Sequence, residues 1–240
     1  KHCWMDEGFT SFISNLAMNE VLPPKEPENP FADSYNNYVY LANSGKEQRL
    51  TTHADRYDLN QSYGIGAYSK GEIFLAQLGY IIGIENLQKT IKKYYSDYKF
   101  THPTPNDIKR TAEKVSGANL DWYLNEWTQT TNTIDYAIKS VESNKIVLER
   151  KGRMPMPIDL IVEFENGKVE YFYIPNTLMR WEKQNPYTTL TRNVLAGWDW
   201  AIPTYSIEIA KEKGAIKSVI IDPSDLMADV KKEDNVFPKK

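Results

Sequence analysis

The apolar residues of this chain change their period at about Thr133, and that change limits what it can fold into. Upstream they recur three and four residues apart, the spacing that buries one stripe of a helix. Downstream they alternate, the spacing that buries one face of a strand. The pattern predicts an α+β, multi-domain chain, with a helical domain over 1–132 and a β-sandwich domain over 133–240. Its 240 residues, 41% of them hydrophobic, suffice for both cores.

In the first half, Phe9, Phe12, Ile13 and Leu16 lie at helical spacing over residues 7–20, and Pro23 and Pro24 end the pattern. The stretch "PPKEPENPFADSYNN" reads as a loop. The segment "YSKGEIFLAQLGYIIG" is apolar nearly all round, as a helix inside a domain is. After Gly83, Leu87, Ile91, Tyr94, Tyr95 and Tyr98 predict an amphipathic helix. Another follows with complete boundary signals: Thr104 as N-cap, Pro105 first, Asp107 third, and Gly117 beyond the end. "NLDWYLNEWTQTT" predicts a last helix ending near Thr130. In the second half, Ile158, Leu160, Val162 and Phe164 share a face. Glu165-Asn166-Gly167-Lys168 makes the turn, and Val169, Tyr171 and Tyr173 return as the other arm of a hairpin. "NKIVLERKG", "TYSIEIA" and "AIKSVIIDP" predict further strands at sandwich spacing.

The net charge of −3, with basic residues spread along the chain, leaves no electrostatic footprint for nucleic acid. No run of about 18 apolar residues forms a membrane span. Any address would lie upstream of Lys1, so localisation stays unknown, with envelope, periplasmic and secreted destinations all left open. Cys3, the single cysteine, makes no internal disulfide. The aromatic bias, 12% with 16 tyrosines, reads as packing, and Trp198, Trp200 and Tyr205 as sandwich packing ahead of an exposed binding patch.

In "WMDEGFTSF", Glu7 places a carboxylate in the first turn of a helix. Read alone, it is either a metal ligand or a carboxylate stabilising the helix dipole by about 0.3 to 1 kcal/mol. "GIGAYSKG" lacks the Gly-Lys-Ser/Thr order of a phosphate loop. The histidines, His2, His53 and His102, are scattered, and no H-E-x-x-H occurs.

Taken in order, "WMDEGFTSF", "YSKGEIFLAQLGYIIG" and "YKFTHPTPNDIKRTAEKVSGANLDWYLNEW" resemble the catalytic domain of the M1 family of zinc metallopeptidases, the aminopeptidase N type, over positions 1 to about 130. The resemblance implies the helical half of a thermolysin-like catalytic domain followed by a β-sandwich. It makes Glu7 the third protein ligand of a catalytic zinc and Tyr68 the donor to the oxyanion, a role that suits a phenol still protonated at neutral pH. Tyr63, five residues before Tyr68, is a candidate for the substrate cleft. The family's other two ligands and its general base lie in an upstream H-E-x-x-H helix, and only six residues precede Glu7 here. The expected parent therefore removes N-terminal residues from peptide substrates with zinc. This chain alone is expected to be inactive, to hold no metal tightly through His2, Cys3 and Glu7, and to self-associate through surface that the upstream segment covers. The alternative is a non-catalytic binding module with a vestigial site.

Overall fold

The structure, a computed structural model, describes residues 2–22 and 29–239. It divides into two compact units, Lys1–Asn132 and Thr133–Lys240. The first is built of helices: α1 (Cys3–Val21), α2 (Ala32–Asn43), α3 (Asn60–Gly64), α4 (Gly71–Ile82), α5 (Ile84–Tyr98), α6 (Pro105–Ser116) and α7 (Asp121–Gln129). Between α3 and α4 the helix continues through a π-helical turn, Ile65–Lys70.

Helix α4 is the centre of this unit, with eleven of its twelve residues buried. Its apolar sequence leaves no polar face for water, so α1, α2 and α5 pack around it. An aromatic chain runs through the core: Trp4 lies edge-on to Phe74 (5.0 Å), Phe74 meets Tyr123 (5.1 Å), Tyr123 meets Trp127 (6.1 Å), and Trp127 meets Tyr38 (5.5 Å). Each such pair adds about 0.5–1.5 kcal/mol beyond its buried area. Helix α6 starts where its caps require: Thr104 and Asp107 form a reciprocal capping box, and Gly117 closes the helix with a left-handed φ of 84°.

Three sequence expectations need correction. The stretch read as a Pro- and Asn-rich loop contains α2 from Ala32, because Tyr35, Tyr38 and Leu41 sit on one buried face. Helix α1 begins at Cys3, so Asp6 occupies its first turn and Glu7 the second. Only Phe12 of its four expected apolar residues is fully buried, while Ile13 and Leu16 are exposed. Pro23 and Pro24 lie outside the described residues.

The tightest contact in the unit is between backbones. A Cβ added to Gly8 would lie 2.4 Å from the Gly71 carbonyl carbon, and one added to Gly71 would lie 2.6 Å from the Trp4 carbonyl oxygen. Helix α1 and the start of α4 therefore cross where neither has a side chain.

The second unit holds two sheets. Strands β1 (Tyr136–Glu142), β2 (Lys145–Arg150) and β6 (Thr204–Glu208) pair in the order β1-β2-β6. Strands β3 (Ile158–Phe164), β4 (Val169–Ile174), β5 (Thr191–Val194), β7 (Ile216–Ile221) and β8 (Val236–Phe237) pair in the order β5-β4-β3-β7-β8. Helices in one unit and sheets in the other make the chain α+β. The β3–β4 hairpin turns through Gly167 at φ 82°, with Ile158 opposite Ile174 and Glu163 opposite Val169. Strand β4 is buried on both faces, Glu170 included, and its pairing with β5 is parallel. The connecting segment 175–190 is held by Lys183, which forms a buried ion pair with Asp159 of β3; Asp159 also accepts the Tyr171 hydroxyl (2.6 Å). Trp198 is buried between Tyr136 and Tyr205, whereas Trp200 is 56% exposed.

Asp229 ties this unit's ends together, accepting the backbone N–H groups of Tyr136 (2.9 Å) and Lys231 (2.8 Å). Burial pushes its carboxyl up to about 6, against the opposing pull of those donors. The folded state thus disfavours its charged form. This group's contribution to stability is greatest below about pH 4 and is lost as pH rises through about 6. Carbon-13 NMR of the side-chain carboxyls is expected to show one aspartate, absent in Asp229→Asn, titrating near pH 6; a midpoint near 4 contradicts this. Gly8→Ala is expected to lower stability by about 1–3 kcal/mol, the cost of overpacking, read as a fall in the denaturation midpoint.

Candidate active site

The glycine crossing joins the two stretches singled out in the sequence. Gly8 follows Glu7 on α1, and Gly71 follows the π-helical turn that carries Tyr68, so contact at the glycines brings the two side chains together. The Glu7 carboxylate lies near enough to the Tyr68 hydroxyl to be the main influence on its pKa, which it raises. Interaction with that carboxylate is the largest cause of the raised phenol pKa, followed by burial and by the charges of Glu7, Tyr63 and Asp6. Tyr68 is nonetheless 43% exposed. Glu7 is half-buried.

Tyr63, on α3, faces the same group. Its phenol is raised by burial first and then by Cys3, Glu7 and Asp6. Tyr57 packs edge-on against Tyr63 at 5.5 Å, and burial pushes its hydroxyl up to about 12. All three phenols therefore keep their protons at neutral pH, and each can donate a hydrogen bond toward developing negative charge.

Behind Tyr68 the chain is fastened residue by residue. The Ser69 hydroxyl accepts from Asn37 (3.4 Å), and Lys70 pairs with Glu47 (2.6 Å). Gly71 meets Gly8. Glu72 accepts from Asn15 (2.6 Å) and from the Ser34 hydroxyl (2.5 Å), two donors that partly offset the upward push of burial on its carboxyl. Sequence reasoning passed over these anchors. The available signal was a lysine and a glutamate inside an otherwise apolar run, since charges in such a run must find partners.

Of the histidines, His53 is exposed and caps a short turn through Asp55. His2 and His102 line one cleft of about 610 Å³ with Asp6 and Tyr94. Among the described residues, no three His, Cys, Asp or Glu side chains are placed to hold a metal ion, His2, Cys3 and Glu7 included. A half-buried carboxylate beside a phenol donor has the chemistry of one zinc ligand with its neighbouring donor, but not of a complete site. Among the described residues, no helix is long and apolar enough to cross a membrane.

Known proteins resemble this chain in sequence and in fold. Aminopeptidase M1-C of Oryza sativa subsp. japonica is 24% identical over 131 residues, 53% of this chain and 15% of that protein. The mitochondrial aminopeptidase 2 of Saccharomyces cerevisiae is 21% identical over 238 residues, 98% of this chain and 21% of that protein. The crystal structure of Legionella pneumophila aminopeptidase A in complex with aspartic acid matches the fold with a TM-score of 0.52 at 12% identity, over 95% of this chain and 24% of that one. This chain thus spans less than a quarter of the length of each of these proteins. The model of the peptidase family M1 domain matches residues 1–127, the helical unit that holds Glu7, Tyr63 and Tyr68, and the chain belongs to that family.

Proposed function

We propose that this chain is part of a zinc-dependent peptidase in which Glu7 is one metal ligand and Tyr68 the oxyanion donor, and that the complete protein acts as an aminopeptidase. The observation that carries the reading is the glycine crossing, which sets Glu7 on α1 beside the turn that carries Tyr68. Zinc held there would supply Lewis acidity and an activated water. Glu7 would contribute one anionic oxygen ligand, held by the second turn of a helix whose other face is packed in the core. The remaining ligands and the general base would come from another segment of the complete protein.

Tyr68 is suited to the transition state because its proton is retained and its ring is open to a ligand. In the chain by itself the Glu7 carboxylate is the hydroxyl's main electrostatic neighbour. With the carboxylate engaged by a metal, the same donor is free to turn toward a peptide oxygen as charge gathers on it. Tyr63 stands on the same side and would line the substrate cleft.

The test compares this chain with one extended upstream, measuring zinc content and hydrolysis of aminoacyl anilides. The extended protein is expected to bind one zinc and turn over, and this chain to do neither. Glu7→Ala should lose the metal. Tyr68→Phe should keep it while kcat falls on the order of 100- to 1000-fold. An extended protein without zinc or turnover sinks the peptidase reading and leaves a binding module. Self-association is expected of the isolated chain, because α1 leaves Ile13, Leu16, Met18 and Val21 exposed. A concentration-independent monomer in light scattering would contradict it.

A further inference from the structure

We propose that Lys70, through its buried ion pair with Glu47, is a positioning residue that holds the π-helical turn in the register aiming Tyr68 at Glu7. The inference rests on the peptidase reading for what Tyr68 does, and on geometry alone for how Tyr68 is held.

Lys70 is fully buried, and its Nζ lies 2.6 Å from Glu47 Oε1, itself almost fully buried. The ammonium also sits over two aromatic faces, 5.9 Å from the centre of the Tyr38 ring and 5.7 Å from that of Trp127. A buried ion pair costs several kcal/mol of dehydration per ion, and an apolar residue of the same volume commonly serves stability as well or better. What the pair and the two rings do provide is one defined position for Nζ. Ring faces and an ion partner fix a charge in a way that packing does not fix a methionine.

The position matters because of where Lys70 sits. It is the last residue of a π-helical turn, a conformation found in well under 1% of residues and enriched at functional sites. A π-turn carries one residue more than an α-turn. Relaxation to α-helix ahead of the Gly8–Gly71 crossing would rotate the preceding residues by about 100°, the angular step of one residue. Tyr68 lies two residues before Lys70, on the other side of the helix, so such a rotation would carry its hydroxyl off Glu7. Gly71 fixes the turn's downstream end by contact, and Lys70 fixes its roll.

The test reads the Tyr68–Glu7 contact directly in the 240-residue chain, as the NOE between the Tyr68 ring protons and the Glu7 methylene protons in protein with labelled tyrosine. The double variant Lys70→Met/Glu47→Leu replaces both charges and leaves neither unpaired. It is expected to melt cooperatively and to lose the cross-peak. Glu47→Gln, which keeps shape and one oxygen toward Lys70, is expected to weaken it, and decides the matter if the double variant does not fold. Wild-type cross-peak intensity in a folded variant overturns the proposal. In the extended protein the double variant should keep its zinc and its KM while kcat falls on the order of 100-fold, the cost of about 1 Å of misplacement. A lost cross-peak in a protein whose unsubstituted form never turns over would retire the peptidase reading and leave the positioning role standing.

Discussion

The helical unit depends on one contact without side chains. Where α1 crosses the start of α4, Gly8 and Gly71 meet backbone to backbone, closer than any Cβ allows. The other features of the site follow from that approach. Glu7 and Tyr68, each a short step from a crossing glycine, are brought into each other's neighbourhood, and Trp4 is set against Phe74 at the head of the aromatic chain. Helices normally pack 8–10 Å apart, at a distance set by the side chains between them. Removing those side chains turns a packing contact into a fixed point.

Around that point the unit separates fastening from chemistry. Ser69, Lys70, Gly71 and Glu72 each have a partner on another part of the unit, whereas Tyr68 stays partly exposed. In the proposed role, a donor that acts only as charge develops must be preorganised without being buried. Fixing the four residues after it accomplishes that. The aromatic chain has the same purpose at longer range, since Tyr38 and Trp127 both supply faces to the ammonium of Lys70.

Features whose causes are local were legible in the sequence. The α6 boundaries rest on Thr104, Asp107 and Gly117, all within the helix or next to it, and the β3–β4 hairpin rests on the Asn166-Gly167 turn and on alternation. Features with distant causes were not. Helix α2 hid behind a Pro- and Asn-rich stretch because its buried Tyr35, Tyr38 and Leu41 are interleaved with polar residues. The start of α1 was misplaced by one turn, since His2 supplies no side-chain cap hydrogen bond to mark it. At the site, the two motifs pointed to Glu7 and Tyr68, but nothing in the chain order paired Lys70 with Glu47, 23 residues away. Trp198 and Trp200 illustrate the same limit: two tryptophans two residues apart, one buried between aromatic rings and one exposed.

The parallel pairing of β4 with β5 bears on how the second unit assembles. Antiparallel neighbours such as β3 and β4 can form as soon as their turn closes, but a parallel pair must wait for its crossover. Here the crossover 175–190 is staked by Lys183 to Asp159, a pair that has to shed its water before it holds. Strand β5 can therefore pair with β4 only once that crossover has folded back along the sheet. The edge of β4 remains an open template until then, and this is where a chain emerging from synthesis would be most exposed to pairing with another.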